Sequence, residues 1–144
     1  MRPLIITSGY FDPLHVGHVE YLRKASELGY LIVIVNSDHQ AVLKKGRAFM
    51  PEVERVEIIR ALRFVTPTDV YLSIDKDGSV CETIKMIHAK EPSETFLFCK
   101  GGDRFAAEIP EKTVCDELGI QMVDGLGQKI QSSSLLTGLH ALHE

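Results

Sequence analysis

The 144-residue chain is 44% hydrophobic and 25% charged, with 16 basic against 20 acidic side chains and a formal net charge of −4. A chain of this size buries roughly 68–70% of the surface it exposes when unfolded, so one ordinary domain spanning residues 1–144 can hold its core without disulfides or structural metal. A slightly acidic balance without long basic tracts excludes nonspecific nucleic-acid binding as the main role. No apolar run approaches the roughly 20 residues that a bilayer helix needs. Cys81, Cys99 and Cys115 are odd in number and stand in no metal-ligand spacing, which fits reduced, buried thiols and a cytoplasmic setting. The start of the chain enters an apolar run after Arg2 and lacks a small-residue cleavage pattern, so no signal peptide is expected.

The first predicted element is a strand over Leu4–Thr7. It runs into Ser8-Gly9-Tyr10-Phe11-Asp12-Pro13-Leu14-His15-Val16-Gly17-His18, and a helical pattern on Tyr21, Ala25 and Leu28 follows at once. Gly9 allows a sharp turn, Pro13 presets φ near the helix entry, and His15 and His18 are three apart, hence on one helical face. Gly17 between them lets a charged ligand approach the helix N-terminus, where free N–H groups and the positive dipole end gather; its alternative role is helix-to-strand packing.

A second strand, Leu31–Val35, leads to Lys44, Lys45, Gly46 and Arg47, in outline a mobile basic flap. Arg55, after Pro51 and Glu54, opens a helix whose apolar stripe is Ile58, Leu62 and Val65, with Arg60 and Arg63 on its wet face. Then come a strand at Asp69–Leu72, a helix on Val80, Ile84 and Ile87, and a strand at Thr95–Cys99 that leaves through Lys100-Gly101-Gly102-Asp103-Arg104. Two glycines there permit close approach of a ligand to the main chain. The last strand is Ile120–Val123, followed by Gly125 to Ser134 and a helix on Leu135, Leu139 and Leu142. One of Ser132, Ser133 and Ser134 serves as a helix cap. His140 and His143 lie at the end of that helix and favour its negative dipole terminus over a metal. Strands that are apolar throughout, alternating with amphipathic helices, indicate a parallel sheet covered on both faces, with ligands beyond the carboxyl ends of the strands.

His-x-Gly-His directly after a strand, with Gly-x-Phe-Asp ahead of it, resembles the signature of the cytidylyltransferase-like nucleotidyltransferases, relatives of the catalytic domain of class I aminoacyl-tRNA synthetases. Asn36-Ser37-Asp38, Lys45-Gly46, Pro51 with Glu54-Arg55, and Lys100-Gly101-Gly102-Asp103 follow in the order of that family. They are most similar to heptose-1-phosphate adenylyltransferase domains and next to glycerol-3-phosphate cytidylyltransferases. The resemblance implies a Rossmann-like three-layer α/β/α fold with a mainly parallel five-stranded sheet. It also implies attack by a substrate phosphate on the α-phosphorus of a nucleoside triphosphate, pyrophosphate leaving and a magnesium ion assisting, in a protein that is commonly a homodimer.

By the same resemblance His15, His18 and Lys45 serve catalysis. Gly9, Tyr10, Phe11, Asp12 and Gly17, then Lys100, Gly101, Gly102 and Asp103, and finally Ser132, Ser133 and Ser134 hold the nucleotide, while Lys44, Arg55 and Arg104 meet the acceptor. No protein-bound metal is expected. The chain departs from the pattern at Tyr10, where many members carry Thr or Cys, and at Gln131, which separates Ile130 from the serines. It also lacks an upstream arginine found in cytidylyltransferases, for which Lys129 can substitute. The implied acceptor is a sugar or polyol phosphate, with ATP ahead of CTP as donor. The alternative is a nucleotide-binding regulatory domain without turnover; a P-loop ATPase is excluded because no Gly-x-x-x-x-Gly-Lys-Ser/Thr segment occurs.

Overall fold

The computed structural model describes residues 2–101 and 109–126. Gly102, Asp103, Arg104, Lys129, Ser132, Ser133, Ser134 and the expected last helix with His140 and His143 lie outside the described residues. The described chain alternates strand and helix. It runs β1 (Leu4–Gly9), α1 (Val16–Leu28), β2 (Tyr30–Val35), α2 (Asp38–Lys45), α3 (Glu52–Arg60), β3 (Val70–Leu72), α4 (Cys81–Lys90), β4 (Phe96–Gly101), α5 (Glu111–Leu118) and β5 (Gln121–Leu126).

The five strands form one parallel sheet in the order β3-β2-β1-β4-β5. Side chains alternate between its faces and both faces are apolar. Ile5, Leu31, Val33 and Val35 pack under Tyr21, Leu22 and Ala25 of α1 and Ile59 of α3. Ile6, Ile32, Ile34, Phe96 and Phe98 pack under Ile84 and Ile87 of α4 and Val114 and Cys115 of α5. This is the Rossmann-like three-layer arrangement the strand and helix patterns lead one to expect. The order of the strands reverses between β1 and β4, so the crevice at a topological switch point opens beyond their carboxyl ends, where Gly9 and Gly101 stand.

Local readings needed three corrections. The basic stretch expected as a flap is the last turn of a helix: Ser37 caps α2 with a hydroxyl that accepts from the Gln40 N–H, the Gln40 side chain answers to Ser37, and Gly46 at φ 90 closes the far end. In α3 the inward stripe is Arg55 and Ile59, one position away from the expected Ile58, which is 38% exposed; the helix ends at Arg60, and Val65 reaches the core from beyond it. Helix α5 has no side-chain cap and was not expected at all.

Candidate active site

Strand β1 ends at Gly9, and the chain then turns so that the Phe11 ring lies over that glycine. Phe11 is 1% exposed at φ 52, a left-handed conformation that costs an L residue roughly 1–2 kcal/mol. Its ring lies so close over Gly9 that a Cβ there would sit 2.9 Å from it, which is why glycine ends this strand. The same ring meets His18 edge-on, with centroids 5.1 Å apart and planes at 80°.

His15 and His18 open α1 with a capping box made of two imidazoles. His15 is the N-cap, and its Nδ1 accepts from the Gly17 N–H at 3.1 Å; His18 Nδ1 accepts from the His15 N–H at 3.2 Å. The rings stack with centroids 3.8 Å apart and planes 21° from parallel. An Nδ1 that accepts carries no proton, so the neutral His18 ring bears its proton on Nε2, the atom pointing away from the helix backbone. Burial pushes the His18 pKa down to about 3, and the neighbouring His15, Lys44 and Lys45 push the same way. His18 is therefore a neutral hydrogen-bond donor at physiological pH. The N-terminal amides of α1 are correspondingly occupied: Gly17 N–H by His15, and His18 N–H by the His15 carbonyl at 3.0 Å. The expectation that bare backbone amides at Gly17 receive the phosphate is thus corrected, because the His15 ring and carbonyl already occupy the Gly17 and His18 amides.

The loop after β2 closes on this one. The Lys45 ammonium, its side chain 7% exposed, stands 3.1 Å from Asp12 Oδ2 and donates to the Asp12 carbonyl at 3.2 Å. The Lys44 ammonium lies 4.4 Å from the Tyr10 ring centroid, a cation–π contact, and the Tyr10 hydroxyl reaches the Gln40 carbonyl at 3.5 Å. On the other side of the crevice, Lys100 is buried at the end of β4. The buried Tyr21 hydroxyl ties the two strand ends, accepting from the Ser8 N–H at 3.3 Å and donating to the Cys99 carbonyl. Burial raises the thiols of Cys99 and Cys115, to about 11 and about 12, so neither is a thiolate nucleophile.

The Cytidylyltransferase-like family model matches residues 6–122, which takes in every described candidate. The chain belongs to the cytidylyltransferase-like nucleotidyltransferase family. It is 34% identical over 140 residues to the bifunctional protein HldE of Geotalea uraniireducens (strain Rf4), covering 95% of this chain and 25% of that protein. It is also 46% identical over 66 residues to the FAD synthase of Pyrococcus abyssi (strain GE5 / Orsay), covering 44% of this chain and 45% of that enzyme. The chain thus spans about a quarter of the length of the HldE relatives it matches. Among solved structures, the lipopolysaccharide core biosynthesis protein from Thermoplasma volcanium GSS1 superposes with a TM-score of 0.62 at 21% identity, covering 88% of this chain and 98% of the other. A bifunctional NMN adenylyltransferase/ADP ribose pyrophosphatase from Francisella tularensis does so with a TM-score of 0.66 at 10% identity, covering 94% and 41%. These two show the fold.

Within this cytidylyltransferase-like domain the expected site residues divide. His15, His18, Gly17, Gly9, Phe11, Tyr10, Lys44 and Lys45 gather around the loop after β1, and Lys100 and Gly101 end the strand across the crevice. Asp12 and Arg55 are buried and engaged within the protein. Asp12 is wholly buried, its Oδ2 accepting from the Phe49 N–H at 2.8 Å and its Oδ1 from the Met50 N–H at 2.6 Å. Arg55 is 1% exposed and donates to the main-chain carbonyls of Tyr10, Asn36 and Met50 and to Asp38. Both are internal braces, for the physical reason that a desolvated charge must be paired and fully hydrogen-bonded to be tolerated. Gln40, Asp38 and Tyr21 were missed as members of this network. Only Gln40 carried a readable signal, the Ser-x-x-Gln of a capping box. A groove of about 420 Å³ lies at the opposite, amino end of the strands, lined by Leu4, Tyr30, Tyr71 and Phe96 among others, and does not touch the histidines.

Proposed function

We propose that the domain transfers a nucleoside monophosphate from a nucleoside triphosphate, ATP ahead of CTP, to a small phosphorylated acceptor such as a sugar or polyol phosphate. An acceptor phosphate oxygen attacks the α-phosphorus, the bond from that phosphorus to the bridging oxygen breaks, and pyrophosphate leaves with its electron pair. No side chain forms a covalent bond, so the protein's task is placement and compensation of charge. The observation that carries the reading is the stacked histidine pair at the end of β1, with His18 held neutral and accepting at Nδ1, beside the Lys44 cation and the Asp12-paired Lys45. A neutral Nε2–H donor on His18, stacked against His15, suits an oxygen of a triphosphate and needs no proton transfer.

Magnesium belongs to this reading as part of the triphosphate substrate. Both carboxylate oxygens of Asp12 are engaged by the Phe49 and Met50 amides. The family resemblance also supports a homodimer, which light scattering after size exclusion tests directly. The catalytic reading is tested by incubating the protein with each of the four triphosphates, magnesium and a panel of sugar, polyol, amino-alcohol and nucleotide phosphates, and following pyrophosphate release. Release dependent on one sugar or polyol phosphate is the expected outcome. Tight triphosphate binding with no release across the panel replaces this reading with that of a regulatory nucleotide-binding domain.

A further inference from the structure

The stretch Tyr10–Asp12 is gripped from two sides. The Arg55 guanidinium, projecting from α3, donates from Nη1 to the Tyr10 carbonyl at 2.8 Å and the Asn36 carbonyl at 2.6 Å, from Nε to the Met50 carbonyl at 2.9 Å, and from Nη2 to Asp38 Oδ1 at 2.7 Å. Asp12, on the other flank, accepts from the Phe49 and Met50 amides. Between the grips stands Phe11, which alone among the described non-glycine residues has a positive φ, and whose ring edge touches His18. A non-glycine residue keeps such a conformation only where its surroundings over-determine it. Four of the five N–H groups of Arg55 have protein acceptors and the residue is 1% exposed, so its guanidinium is turned into the protein rather than offered to a substrate phosphate.

We infer that Arg55 is a positioning residue for His18, acting through the Tyr10 carbonyl and the Phe11 ring rather than by touching substrate. Without the guanidinium, the Tyr10–Phe11 peptide relaxes toward negative φ, the ring withdraws from His18, and the wall that aims its Nε2–H is lost. The catalytic part of this inference rests on the transferase reading; the structural part does not.

The test uses the whole chain, labelled with nitrogen-15 in its histidine rings, as wild type, Arg55→Met and Phe11→Leu. The wild type is expected to show His18 in one tautomer, protonated on Nε2. Both variants are expected to show averaged Nδ1 and Nε2 signals, because a His18 ring that Phe11 no longer walls in swings away from the His15 N–H that holds it in one tautomer. In pyrophosphate-release assays with ATP and whichever sugar or polyol phosphate of the panel supports release, kcat should drop by about tenfold or more while the acceptor KM moves by less than about threefold, the signature of misplacement rather than of a lost ligand. An acceptor KM raised about tenfold with His18 signals unchanged makes Arg55 a substrate ligand and overturns the inference. If Arg55→Met does not fold, Phe11→Leu decides, and unchanged His18 signals in a folded Phe11→Leu protein overturn it. A wild type that releases no pyrophosphate removes the transferase reading, while the ring signals still settle the positioning role.

Discussion

His15 and His18 each use Nδ1 to complete the helix start, and the neutral His18 ring carries its proton on the opposite nitrogen, so in His18 structure and proposed function draw on different atoms of one side chain. Replacing His18 with Ala therefore has two separable effects. Loss of a cap acceptor is expected to cost about 1 kcal/mol of stability. Loss of a preorganised donor to the reacting phosphates is expected to lower kcat by about 10²–10³-fold. Parallel urea titration and turnover measurements check both, and full activity in a destabilised His18→Ala protein would reduce the ring to a cap.

The depressed His18 pKa also fixes a pH dependence. The folded value is about 3 against an ordinary 6.5, so between those limits the unfolded chain takes up a proton that the folded chain refuses. Stability contributed by the neutral ring is complete above about pH 6.5 and declines as the pH falls below it. The slope of unfolding free energy between pH 6.5 and 5 should thus be smaller in His18→Ala than in the wild type, and equal slopes would show that burial does not hold the ring neutral. Spacing alone placed the two histidines on one face. It did not disclose their reciprocal capping, because the usual cap is a hydroxyl or carboxylate. Nor could it separate Asp12 and Arg55 from ligand-facing charges, since burial is decided by segments 33 to 45 residues apart in the chain, as between Asp12 and Lys45 or Tyr10 and Arg55.

Helix α2 shows how an element can be legible and still be overlooked. Ser37-Asp38-His39-Gln40 is a capping-box pattern and Gly46 a C-terminal stop, yet the three cations between residues 44 and 47 drew the reading toward a flap. The structure puts Lys44 and Lys45 in the last turn, where the helix dipole favours cations. Ser37→Ala is expected to lose about 1 kcal/mol, measured by urea denaturation, with a change below about 0.2 kcal/mol showing the cap to be dispensable. In α3 the stripe was misplaced by one residue because its inward position is an arginine, a residue that periodicity counts as exposed. A buried Arg55 becomes readable only once its carbonyl partners are brought together.

The sheet is the scale at which reading and structure agree best. Continuous apolar runs of six residues or fewer, separated by helices, imply parallel pairing with cover on both faces, and the two core clusters on either side of β1 and β2 realise it. Leu22 and Ile84 are fully buried on opposite faces. Leu22→Ala and Ile84→Ala are each expected to cost about 2–5 kcal/mol, and the double variant about their sum, since residues on opposite faces share no partners. Strong non-additivity in the double-mutant cycle would mean that the two cores are coupled through the sheet. Element type, strand count, parallel pairing and the histidine pair beside a glycine-ended strand follow from local pattern, because apolar periodicity and turn chemistry act over a few residues. Which charges face the crevice and which brace it, and which ring nitrogen is left for a ligand, depend on desolvation and on hydrogen-bond partners that only chain crossing brings together. Those were settled by the tertiary structure alone.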